Sequence, residues 1–157
     1  MATREELIEG LRFVPAQATR IAGMLDAADE WDIKREAGWT PKEMFIHVSV
    51  IMGMMPTMGP SILKAPPEAD IVAGIDMTEF NERGVASMRS LDAKLAVEAI
   101  STNCGKLSDW VKSLSDDDLR SQHKFRGMPM TMSDFLMTAT VMHALHHLFE
   151  APLSVAL

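Results

Sequence analysis

Apolar residues recur along this chain at helical spacing, and no convincing alternating strand pattern competes with them. Leu7, Leu11, Val14, Ala18, Ile21, Ala22 and Leu25 form one stripe. It predicts an amphipathic helix from about Arg4 to Ala28, kinked at Pro15, whose ring clashes with the preceding turn. The segment after Trp39 carries the sharpest local signal. Thr40 can cap a helix, Pro41 is preset for the first helical position, and Glu43 can close a capping box. This second helix is predicted from Pro41 to about Met55, ending near Pro56. It is apolar nearly all round, so it should be the most buried element.

Residues 57–76 hold three Pro and two Gly and read as a long crossover. A third helical region runs from Met77 to Leu114, with Ser90 as a break and new cap. Its stripe is Leu91, Leu95, Ala99 or Ile100, Leu107, Trp110, Val111 and Leu114. The cluster Ser115–Asp118 is a helix start, and His123 to Met130 is a loop or small hairpin around Gly127. The last helix opens at Thr131 and runs to about Ala151, with Met132, Phe135, Leu136, Ala139, His143, His147 and Glu150 on its inward stripe. Four main helices and one long crossover predict an all-α four-helix bundle, and 157 residues suit a single domain over 1–157.

Composition narrows the function. The formal net charge is −7 and the basic residues are scattered, which argues against nucleic acid as a partner. The single cysteine, Cys104, excludes an internal disulfide framework and suits a reducing cytoplasm. The charged start lacks the apolar core of a signal peptide. The apolar stretch Met44 to Met58 is interrupted by His47, Ser49, Gly53 and Pro56, and is shorter than the ~20 residues of a membrane span. No membrane partner is expected. The 14 Met residues point to an adaptable core or an adaptable pocket.

Three of the five histidines stand where the pattern calls for apolar residues. His143 and His147 are four apart, one turn from each other on one face. His47 lies among Phe45, Ile46, Val48, Val50 and Ile51, which offer its ring nitrogens little to bond. One divalent metal ion shared by His47, His143 and His147 would satisfy all three. Three imidazoles suit Zn²⁺ or Ni²⁺, with Fe²⁺ and Cu²⁺ as further options, and leave a coordination position open. His146 is expected at the bundle's side and His123 in a polar loop. Glu150, one turn past His147, reads equally as a carboxylate behind the metal and as a surface residue.

Trp39-Thr40-Pro41-Lys42-Glu43-Met44-Phe45-Ile46-His47-Val48 resembles the opening of the second helix in the DinB/YfiT-like family. His143-Ala144-Leu145-His146-His147-Leu148-Phe149-Glu150 resembles that family's closing segment, and Phe80-Asn81-Glu82 the start of its third helix. The order of elements matches along essentially the whole chain. The resemblance implies a DinB-like bundle with a metal on His47, His143 and His147. It also implies a metal-dependent transferase or isomerase that acts with a low-molecular-weight thiol on a small electrophilic substrate. Arg83, Arg89 and Arg126 are candidates for binding the thiol near the mouth of the site. The alternatives are a hydrolase using metal-bound hydroxide and a non-enzymatic metal- or ligand-binding stress protein. A homodimer is expected, with His146, Met142 and Trp110 on the pairing face.

Overall fold

The computed structural model describes residues 1–35 and 38–152. In chain order the elements are α1 (Arg4–Ala28), α2 (Pro41–Lys64), α3 (Met77–Ser87), α4 (Ala93–Ser113), α5 (Asp116–Arg120), the strands β1 (Gln122–Phe125) and β2 (Met128–Thr131), and a last helix in three parts. That helix consists of α6 (Met132–Leu136), a π-helical stretch (Met137–Met142) and α7 (His143–Glu150).

The bundle is all-α apart from the β1–β2 hairpin. α4 packs on both α1 and α2, and the last helix packs on the same two. Consecutive helices α1 and α2 therefore stand diagonally across the bundle, each between α4 and the last helix. Their inward residues, including Leu7, Leu11, Leu25, Phe45, Ile46, Ile100, Leu107, Leu136 and Leu148, form one continuous core. At roughly 1.5–3 kcal/mol for each large side chain removed from water, that core is the main stabilising term.

The expected cap on α2 is formed. Thr40 Oγ1 accepts from Glu43 N at 3.2 Å while Glu43 Oε2 accepts from Thr40 N at 3.0 Å. Thr3 and Glu6 make the same reciprocal pair at the start of α1. α1 continues unbroken through Pro15.

The structure revises three expectations. α2 does not stop at Pro56; it carries Pro56 and Pro60 inside it and ends at Lys64. The reason is tertiary. Past Pro56, α2 lies so close to α4 that a β-carbon at Gly59 would run into the Trp110 ring. Packing there outweighs the lost backbone hydrogen bonds of two prolines. Trp110 is thus half-buried over α2. At 24 residues α2 is long and apolar enough to cross a membrane by length and composition, but half of its most apolar stretch is buried inside this bundle. Second, α4 is capped by Asp92 rather than Ser90. Its buried stripe is Ala96, Ile100, Cys104, Leu107, Ser108 and Val111, so Leu95 falls to the outer side at 46% exposure. Third, the π stretch re-phases the last helix. Its buried line runs Met132, Ser133, Phe135, Leu136, Thr140, Val141, Ala144 and Leu148, which sets His143 and His147 at the flank of that line and leaves Glu150 exposed.

The hairpin is a two-residue turn. Arg126 and Gly127 both have positive φ, 52° and 78°, between the paired Phe125 and Met128, the geometry that matches strand twist. Asp70, in the crossover, pins it: its carboxylate accepts from Arg126 N at 3.2 Å, Gly127 N at 2.6 Å and Val72 N at 3.1 Å.

Candidate metal centre

α2 and α7 are neighbours, and they bring the three predicted histidines together. His47 is fully enclosed, while His143 and His147 are half-buried. The ring centroids lie 5.1 Å apart for His47 and His143, 4.9 Å for His47 and His147, and 4.6 Å for His143 and His147. The two Nε2 atoms of His47 and His143 face each other at 2.8 Å. One nitrogen from each ring lies within 4.8 Å of the other two. Nitrogens sharing a tetrahedral ion at 2.0–2.1 Å stand about 3.3 Å apart, inside that range.

Burial governs the charge. It pushes His47 down to about 3, helped by the neighbouring His147 and His143. It pushes His143 down to about 4, helped by His147, His146 and Arg126 and opposed by Glu150. His147 is lowered to about 4 by burial and by His146. All three rings are neutral at pH 7, the form that ligates a metal.

The residues present fit such an ion. Among the described residues, His147 Nδ1 is buried without a hydrogen bond, and two nitrogens of neutral rings meet at 2.8 Å with no carbonyl or carboxylate bonded to either of those two atoms. An all-imidazole donor set suits Zn²⁺, Ni²⁺, Cu²⁺ or Fe²⁺. Glu150 stands behind the centre, with Oε2 3.5 Å from His147 Nδ1 and Oε1 3.3 Å from His146 Nε2. At 3.5 Å the first contact is an electrostatic neighbour and not yet a hydrogen bond, which reconciles it with the unbonded nitrogen.

His146 lies outside the cluster, with its side chain 63% exposed. His123 is also outside it, and it is buried rather than in a polar loop: it sits on β1 with Nε2 2.9 Å from Ser121 Oγ. Trp39 is a wall residue that periodicity alone does not reveal. Its ring lies 4.9 Å from His47 and 5.9 Å from His147. The loop carrying it is fastened by Arg35, whose N donates to Trp39 O at 2.9 Å. The Arg35 guanidinium donates to Ala151 O at 2.6 Å, Ile33 O at 3.1 Å and Glu30 Oε2 at 2.8 Å.

Two spaces flank the centre. A polar cleft of about 550 Å³ has Trp39 in its wall together with Glu43, Arg83 and Arg89. Both arginines there are exposed and paired, Arg83 with Glu79 and Arg89 with Glu43. An apolar cavity of about 280 Å³ has His143 in its wall, and Arg126 belongs to this side. The three arginines therefore do not form one cluster. Cys104 is far from serving as a nucleophile: it is buried on α4, and burial pushes its thiol up to about 12.

No protein-family model matches the chain, and no curated protein matches it. Among solved structures it is similar to YfiT from Bacillus subtilis, described as a probable metal-dependent hydrolase with an unusual four-helix bundle topology. The TM-score is 0.73 at 17% identity, covering 94% of this chain and 83% of that one. The fold is thus that of the YfiT-type four-helix bundle.

Proposed function

We propose that His47, His143 and His147 hold one divalent metal ion, Zn²⁺ or Ni²⁺ first and Fe²⁺ next, and that the protein is an enzyme acting there on a small molecule. The observation that carries this reading is the meeting of three neutral imidazoles from two helices. Bound there, an ion would acidify a thiol or a water at its open position.

The chain's own residues do the rest. His47 is fixed by the surrounding core, and the His143/His147 pair by one turn of α7. Glu150, with Oε2 3.5 Å from His147 Nδ1, sets a carboxylate charge behind that ring. Trp39 covers the two rings from the loop side. The reaction we favour is transfer of a low-molecular-weight thiol, or a thiol-assisted isomerisation. In the transfer, sulfur forms a bond to an electrophilic carbon, the thiol proton goes to solvent, and the leaving group departs with its electron pair. The support is the resemblance of the Trp39–Val48 and His143–Glu150 segments, an argument by analogy. Hydrolysis is the second reading, favoured by the description of the YfiT structure. We place the protein in the cytoplasm, where its one buried thiol would stay reduced.

Elemental analysis of tag-free protein tests the centre: one metal per chain is expected, and wild-type occupancy in His47→Ala with unchanged helicity would refute it. Rates with a dinitro-halobenzene and glutathione, bacillithiol, mycothiol or no thiol test the reaction. Acceleration by any of the thiols supports transfer; ester hydrolysis without thiol, lost in His47→Ala, supports the second reading. Metal binding with neither activity would support a non-enzymatic binding protein.

A further inference from the structure

The apolar cavity beside the centre has a chemistry of its own. Its wall is dominated by Met54, Met55, Met58, Met77, Phe80 and Phe125. Thioether side chains are flexible and polarizable and adapt to ligands of different shape. The crossover closes one side through Ile71, Val72 and Ile75, held in place because Asp70 grips the hairpin turn and Ile71 N donates to Lys124 O at 2.9 Å. At the ~30 Å³ that a water molecule occupies in the liquid, 280 Å³ is room for roughly eight to ten non-hydrogen atoms.

At the edge stands Arg126, exposed, its guanidinium over the Phe125 ring at 5.6 Å. A cation entering there would be repelled.

We propose that this cavity binds a neutral, largely apolar molecule of eight to ten non-hydrogen atoms. With His143 in the same wall, the bound molecule is a substrate of the metal centre. That role rests on the reading of the centre given above, whereas binding itself requires no ion.

Heptan-1-ol and heptylammonium are the probes. They are titrated into full-length protein, metal-free and metal-loaded, with methyl-labelled methionines observed by NMR. The expected result is saturable shifts at Met54, Met55, Met58 and Met77 in both forms, while the exposed Met128 and Met142 stay still. Heptylammonium should bind more weakly than heptan-1-ol.

Ala139→Phe fills the cavity and should remove binding. Ile75→Trp, at a 40% exposed crossover position, narrows it from outside without touching the last helix, and should weaken binding if the helix variant does not fold. Absence of shifts at these methionines, or heptylammonium binding as tightly as heptan-1-ol, would overturn the proposal. Alcohol binding without metal uptake would overturn only the metal reading, and metal uptake without alcohol binding only this one.

Discussion

Two buried polar clusters sit at the same end of this bundle and have opposite characters. At Arg35, every hydrogen bond closes within the chain: the guanidinium reaches Ala151 O, Ile33 O and Glu30 in one enclosed set. At His47, His143 and His147, the nitrogens face one another, and His147 Nδ1 has no hydrogen bond at all. A satisfied cluster fixes structure; an unsatisfied one leaves binding energy for something that arrives later. The first fastens the loop that carries Trp39, and the second is what Trp39 covers.

Removing a group from each should therefore fail in different ways. The largest effect is expected for His47→Ala, which should abolish stoichiometric metal binding, beyond the ~10–100-fold loss typical of an outer partner. Apoprotein stability should change far less, as circular dichroism melts would show. Arg35→Leu should do the reverse. It removes the enclosed ion pair with Glu30 and the donor to the Ala151 carbonyl, costs about 3 kcal/mol, and lowers the melting temperature by about 6–12 °C, with metal still bound. If Arg35→Leu instead removed metal at full stability, the two clusters would not be separable.

Acid should then weaken the histidine cluster. Its rings have lowered pKa values in the fold, so the unfolded chain takes up protons that the native state refuses. The resulting stability is fully present above pH 6.5 and drains as pH falls toward about 4 to 3. One pH unit below 6.5, enclosed His47 alone accounts for about 1.4 kcal/mol; the half-buried pair, screened by water, adds less. Melts of apoprotein at pH 7.5 and 5.5 should show this fall, and a flat profile would contradict neutral rings. The smallest effect is expected for Glu150→Gln: about tenfold weaker metal binding by competition with a chelator, and no change in melting, because the residue is exposed.

What could be read from the sequence was local. The Thr40–Glu43 capping box and the i, i+4 spacing of His143 and His147 both lie within one or two turns, and both hold. The histidine pair survives because both members follow the π stretch, inside α7. What failed depended on distant packing. Pro56 and Pro60 look like stops until Gly59 meets Trp110 on another helix, and a 3.6-residue period cannot anticipate a π-helical stretch. The wall of the apolar cavity was illegible for a similar reason: a Met in the core and a Met lining a pocket look alike along the chain.

The diagonal placement of α1 and α2 also sets a timetable for synthesis. The helices against which α2 packs, α3, α4 and the last helix, lie downstream of it. From the end of α2 to the end of α4 is about fifty residues, or roughly 2.5–10 s at ribosomal speed. During that interval the most apolar helix of the molecule has left the ribosome ahead of its partners. Nascent chains halted between Lys64 and Ser113 should be the ones that chaperones capture.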